Sequence, residues 1–110
     1  MRILLDECID QRLRHCFGGH DCQTAAYANF AGLKNGRLLE AAEQAGFEVL
    51  ITVDQEIPSQ QNLSRRGISI VILCAPSNRL HDLEMLLPAA LSALDALAPG
   101  DVVRIEHPAI

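Results

Sequence analysis

The run Arg2-Ile3-Leu4-Leu5-Asp6-Glu7 limits this chain more than any other stretch. Three branched aliphatic residues in succession leave no polar face, so the segment reads as a strand covered on both sides. An edge strand would alternate polar and apolar residues; this one belongs inside a parallel sheet. It ends on two consecutive carboxylates. Burying an unpaired carboxylate is costly, so Asp6 and Glu7 must stand where the strand leaves the core. In open α/β sheets that rim, at the carboxyl ends of the strands, is where ligands and metals bind. The design recurs at Val49-Leu50-Ile51-Thr52-Val53, which ends on Asp54-Gln55-Glu56.

The segments between these strands carry helical spacing. Ile9, Leu13, Cys16 and Phe17 mark a helix over 9–17 that Gly18-Gly19 closes. A short strand over 20–24, a helical turn over 25–30 and a loop over 31–34 follow. Asn35 is a good N-cap for a helix over 36–45, with Leu38, Leu39, Ala42 and Ala45 facing inward and Gly46 ending it. The third strand spans 48–53. Pro58 to Leu63 opens a short polar helix that Gly67 ends, and Ile68 to Leu73 is a fourth, nearly all-apolar strand.

Leu80, Leu83, Leu87, Leu91, Leu94 and Leu97 then step by three and four, a long helix that Pro88 kinks or divides. Met85 and Leu86 widen its stripe. That excess fits either an exposed patch for self-association, hence a homodimer, or a helix buried between sheet and last strand. Val102 to Ile105 is the last strand, and its interrupting Arg104 suggests an edge. Strands alternating with helices predict an α/β three-layer sandwich with a mainly parallel sheet of about five strands. If strands one and three are neighbours, the switch point lies between Asp6 and Asp54.

With 110 residues and 12.0 kDa, the chain has the size of one domain over 1–110. Hydrophobic residues at 49% and charged residues at 21% describe an ordinary globular protein rather than a disordered one. No apolar run reaches the roughly 18–20 residues that span a bilayer. With no signal-peptide pattern after Met1-Arg2, the expected address is cytoplasmic.

The net charge of -5 argues against a protein that coats nucleic acid, but not against an enzyme that holds a metal with acids. The four cysteines form no Cys-x-x-Cys pair and read as small core residues. His20 and Cys22 lack the second close pair a zinc site needs.

Acids gathered at one rim can bind Mg²⁺ or Mn²⁺, act as an acid–base pair, or cap the helices that follow each strand. Asp6-Glu7 and Asp54-x-Glu56 together favour the first two uses. In order and spacing, residues 1–75 resemble the small PIN-like domains, many of them predicted toxin ribonucleases of prokaryotic toxin–antitoxin pairs. The resemblance is carried by Leu5-Asp6-Glu7 after an aliphatic strand, by the Gly19-His20-Asp21 turn, by the Ala-rich helix after Asn35, and by Thr52-Val53-Asp54-Gln55-Glu56-Ile57. It implies a carboxylate cluster holding one or two divalent metals that activate water against a phosphodiester. Asp6 and Asp54 become the main metal ligands and Glu56 an auxiliary acid, with Glu7 either a ligand or a neighbour turned away. The resemblance also implies an RNA substrate, a cognate antitoxin and frequent dimers.

Asn35 stands where that pattern has an acid at a helix start, and a neutral amide is a poorer metal ligand. Glu40 could compensate, although Glu43 and Gln44 beside it suggest a solvent face. Two alternatives therefore stay open. One is an inactive PIN-like fold kept as a binding partner. The other is a receiver-like phosphoacceptor domain, which also has a double acid after strand one and an Asp after strand three. That domain needs a Ser or Thr after strand four and a Lys after strand five. Here Cys74-Ala75 and Arg104, followed by His107-Pro108, stand in those places, and the chain's one lysine is Lys34.

Overall fold

In the computed structural model, residues 1–33, 35–56 and 67–106 are described. Their strands are β1 (Arg2–Leu5), β2 (Asp21–Thr24), β3 (Val49–Thr52), β4 (Ser69–Cys74) and β5 (Val102–Glu106). They form one five-stranded sheet in the order β2-β1-β3-β4-β5, every pairing parallel. The chain steps from β1 outward to β2, then returns across β1 to β3. That reversal makes β1/β3 the switch point, as the two acid-ended runs require.

The central strands are apolar because both faces are covered. Ile3, Leu5, Val49, Ile51, Val71 and Leu73 point to one side. There they meet Leu13 from a 3-10 helix (Gln11–Cys16) and Leu83, Leu87, Ala90 and Leu94 from α2 (Leu80–Glu84) and α3 (Leu87–Leu94). Leu4, Leu50, Ile70, Ile72 and Cys74 point to the other side. They pack on Leu38, Leu39 and Ala42 of α1 (Asn35–Gln44) and on Phe47. The result is the three-layer α/β arrangement, with the last strand parallel and at an edge.

Several boundaries differ from the sequence reading. The helix expected over 9–17 is a tighter 3-10 helix of six residues. Asp10 caps it through the Arg12 N–H at 2.9 Å, and the span before Gly18 leaves room for only two such turns. Residues 25–30 form a chain of turns rather than a helical turn, broken where Asn29 adopts φ 65°. Helix α1 stops at Gln44, so Ala45 is exposed instead of core-facing, and its carbonyl accepts from the Arg2 guanidinium. Gly46, at φ 86°, reverses the chain there.

The leucine stripe after Leu80 becomes two helices. Pro88 sits in the first turn of α3, where its missing N–H costs nothing, and the break comes just before it. Leu86 is 1% exposed and belongs to the core, leaving Met85 as the exposed member of the expected patch. The short polar helix expected from Pro58, along with Ile57, Arg65, Arg66 and His107-Pro108, lies outside the described residues. No helix among the described residues is long and apolar enough to cross a membrane.

Candidate functional site

Strands β1 and β3 pair in the register Leu5 to Ile51, so Asp6 comes level with Thr52 at the carboxyl rim. The backbone holds them there: the Asp6 N–H donates to the Ile51 carbonyl at 3.0 Å, extending the ladder by one rung. Thr52 is the polar residue closing an otherwise aliphatic strand, and it is fully buried. A buried hydroxyl needs partners, and it has two. Its Oγ1 donates to Asp6 Oδ2 at 2.7 Å and accepts the Asp54 N–H at 3.0 Å. One hydroxyl thus joins the carboxylate of the first acidic strand end to the backbone of the second.

The remaining bonds set each acid's orientation. Asp6 Oδ1 accepts the Glu7 N–H at 2.8 Å, and Asp54 Oδ1 accepts the Glu56 N–H at 2.9 Å. Asp54-Gln55-Glu56 therefore closes a tight Asx turn. From the far edge of the sheet, Arg104 grips the middle of that turn. Its guanidinium donates to the Gln55 side-chain oxygen at 3.2 Å and to the Gln55 carbonyl at 3.3 Å.

Glu7 turns the other way, accepting the Gly32 N–H at 3.3 Å and tying down the loop before α1. Glu40 is exposed along α1. Asn35 is the first residue of α1 rather than the cap before it, and its side chain lies outside the described residues. Of the six candidate residues, Asp6 and Asp54 share one hydroxyl, with Glu56 in the turn beside them; Glu7 and Glu40 do not join that group. Asp6, Glu7 and Asp54 form no ion pair among the described residues; the pairs present are Arg2–Asp21 and Arg12–Asp10.

Cys8 corrects an expectation, because it is exposed rather than in the core. Its thiol lies against Asp6, Thr52 and the Val53 N–H; local burial, reinforced by the Asp6 charge, raises its pKa above the ordinary thiol value. Thr52 entered the sequence reading only as the start of the Thr52–Ile57 motif and was given no role there; Cys8 at this site and the Gln55–Arg104 contact were given none either. Only Thr52 carried a signal: a lone hydroxyl in an apolar strand. Among the described residues no group of three or more His, Cys, Asp or Glu side chains could hold a metal ion. Comparison with known proteins finds no matching protein family, no matching curated protein and no matching solved structure.

Proposed function

We propose that this chain is a Mg²⁺- or Mn²⁺-dependent ribonuclease of the PIN-like kind, acting as the toxin of a toxin–antitoxin pair. The observation that carries the reading is the Asp6–Thr52–Asp54 junction at the β1/β3 switch point, two acids that no cation neutralises among the described residues. The donor set suits a hard cation. Mg²⁺ keeps several of its waters and is commonly held by one or two carboxylates, so a two-acid rim is a sufficient protein share. Asp6 and Asp54 are the residues that would hold it. Bound there, the ion would polarise a phosphate and lower the pKa of a water.

The chain's own part is positioning. The Thr52 hydroxyl holds Asp6 Oδ2 and the Glu7 amide holds Oδ1, which together fix the carboxylate plane. Arg104 steadies the turn that bears Asp54 and Glu56, bringing a positive charge to a rim that must accept an anionic substrate. The second reading, an inactive PIN-like binding partner, draws on the two-carboxylate donor set and the amide at Asn35.

The deciding experiment is cleavage of RNA by purified protein with and without Mn²⁺, alongside Asp6→Asn and Asp54→Asn. Metal-dependent cleavage lost in both variants supports the enzyme. Equal cleavage by all three proteins points to a contaminant and ends the assignment. Mn²⁺ binding without cleavage leaves the inactive partner.

A further inference from the structure

A concavity lies outside the acidic junction, along the free edge of β2. It is a cleft of about 580 Å³, within the usual size of small-molecule sites. Tyr27, Arg14, Gln11 and Gln23 contribute to its lining, with Asp21 and Thr24 at the strand itself. Among the described residues β2 pairs only with β1, and its residues 21–24 border this space on the free side. We propose that the cleft binds one unpaired nucleotide of a single-stranded RNA, with the base stacked on Tyr27 and its phosphate beside Arg14.

Tyr27 is the chain's single tyrosine and is 80% exposed. Its backbone is nevertheless fixed. The Tyr27 N–H donates to Thr24 Oγ1 at 3.1 Å, Ala28 N–H to the Thr24 carbonyl at 3.0 Å, and Phe30 N–H to the Ala25 carbonyl at 2.7 Å. A rigid stem holding an aromatic ring in water is what base stacking uses, because little order is lost on binding.

The local charge is favourable despite the chain's overall -5. Asp21 is paired with Arg2 at 3.3 Å, whereas Arg14 makes no ion pair among the described residues, so its guanidinium is left to meet an anion. The amides of Gln11 and Gln23 offer donors and acceptors at a base edge, and unpaired bases are what proteins read in RNA. An extended peptide, the other guest of a free strand edge, uses main-chain hydrogen bonds and pockets for alternate side chains; this lining, polar and apolar in similar measure, instead offers an exposed ring and a guanidinium, which suit a nucleotide.

The cleft also leads to the acids. The Ala25 N–H donates to the Leu5 carbonyl at 2.9 Å, so the Tyr27 turn stands at the same rim as Asp6. The choice of RNA rests on the ribonuclease reading, but binding can be measured without cleavage. A fluorescein-labelled hexaribonucleotide is titrated in EDTA by anisotropy, with the Tyr27 ring protons followed by NMR. The expected result is binding with an upfield shift of those protons. Tyr27→Ala and Arg14→Glu should each weaken binding on the order of tenfold, while Tyr27→Phe retains it.

No binding in EDTA, or equal binding by Tyr27→Ala and wild type, overturns the cleft proposal, whatever the cleavage assay gives. Binding with these variant effects but no Mn²⁺-dependent cleavage sustains the cleft and sinks the nuclease.

Discussion

The two rims of the sheet use similar residues in opposite ways. At the amino rim one acid, Asp21, is matched with a cation that also packs on an aromatic ring, and another, Glu48, with a backbone amide. Arg2 pairs with Asp21 at 3.3 Å, its backbone N–H reaches Glu48 Oε2 at 2.8 Å, and its guanidinium stands 4.4 Å over the Phe47 ring. At the carboxyl rim Asp6 and Asp54 are met by a hydroxyl and backbone amides instead. Hydrogen bonds from neutral donors orient a carboxylate without cancelling its charge. The amino rim therefore reads as a fastening, while the carboxyl rim keeps charge that the proposed cation would meet. Acid count alone would not separate them; the partners do.

The sharpest way to break this comparison is Thr52→Val, which keeps the shape and removes the shared hydroxyl. It leaves Asp6 Oδ2 and the Asp54 N–H without their present partner, at a cost of about 1–3 kcal/mol. Loss of a bond that orients a metal ligand typically lowers affinity or activity by about 10–100-fold. Urea unfolding and Mn²⁺ calorimetry should both register the change, and Thr52→Ser should restore both. Weakened stability with unchanged Mn²⁺ affinity would make the junction only a fastening.

The converse variant is Arg2→Met at the amino rim. The ion pair is exposed and contributes little, and the contact with Phe47 adds about 0.5–1 kcal/mol at such sites. Stability should fall by about 1 kcal/mol by urea unfolding, with Mn²⁺ affinity unaltered. An altered affinity would show that the rims are coupled through β1.

The sequence revealed the architecture where burial was two-sided. Ile3-Leu4-Leu5 and Ile70-Val71-Ile72-Leu73 could only be interior strands, and Arg104 correctly marked an edge. Helix lengths were less readable. The Leu80 to Leu97 stripe continues in phase through Met85 and Leu86, although the chain breaks there, because both helices bury leucines against one sheet face. At the rim, Asp6 and Asp54 were visible because each ends an apolar run. Their linkage through Thr52 depends on the β1/β3 register, and the Arg104 grip on Gln55 depends on parallel pairing across β4; neither follows from local spacing. The β2 cleft was hidden for the same reason, being assembled from the 3-10 helix, a strand and the turn after it.

The smallest effect should come from Cys22, which lines the cleft edge between the two rims. Burial, chiefly, and the neighbouring Asp21 charge push its thiol from 9.0 up to about 12, with Cys16 adding to the rise and Arg14 opposing it. A raised folded-state pKa favours the protonated thiol, so its contribution to stability is complete below the unfolded value. As the pH climbs past about 9, unfolded chains release this proton while folded chains retain it, and stability declines until about 12. Cys8 and Cys74 are raised in the same direction, so removing one thiol flattens the decline without abolishing it. Urea midpoints in reducing buffer, measured from neutral pH to mildly alkaline pH, should fall less for Cys22→Ser than for wild type. Parallel declines would mean that the β2 edge opens to water easily enough to leave the thiol hydrated, and would weaken the case for a preformed cleft beside it.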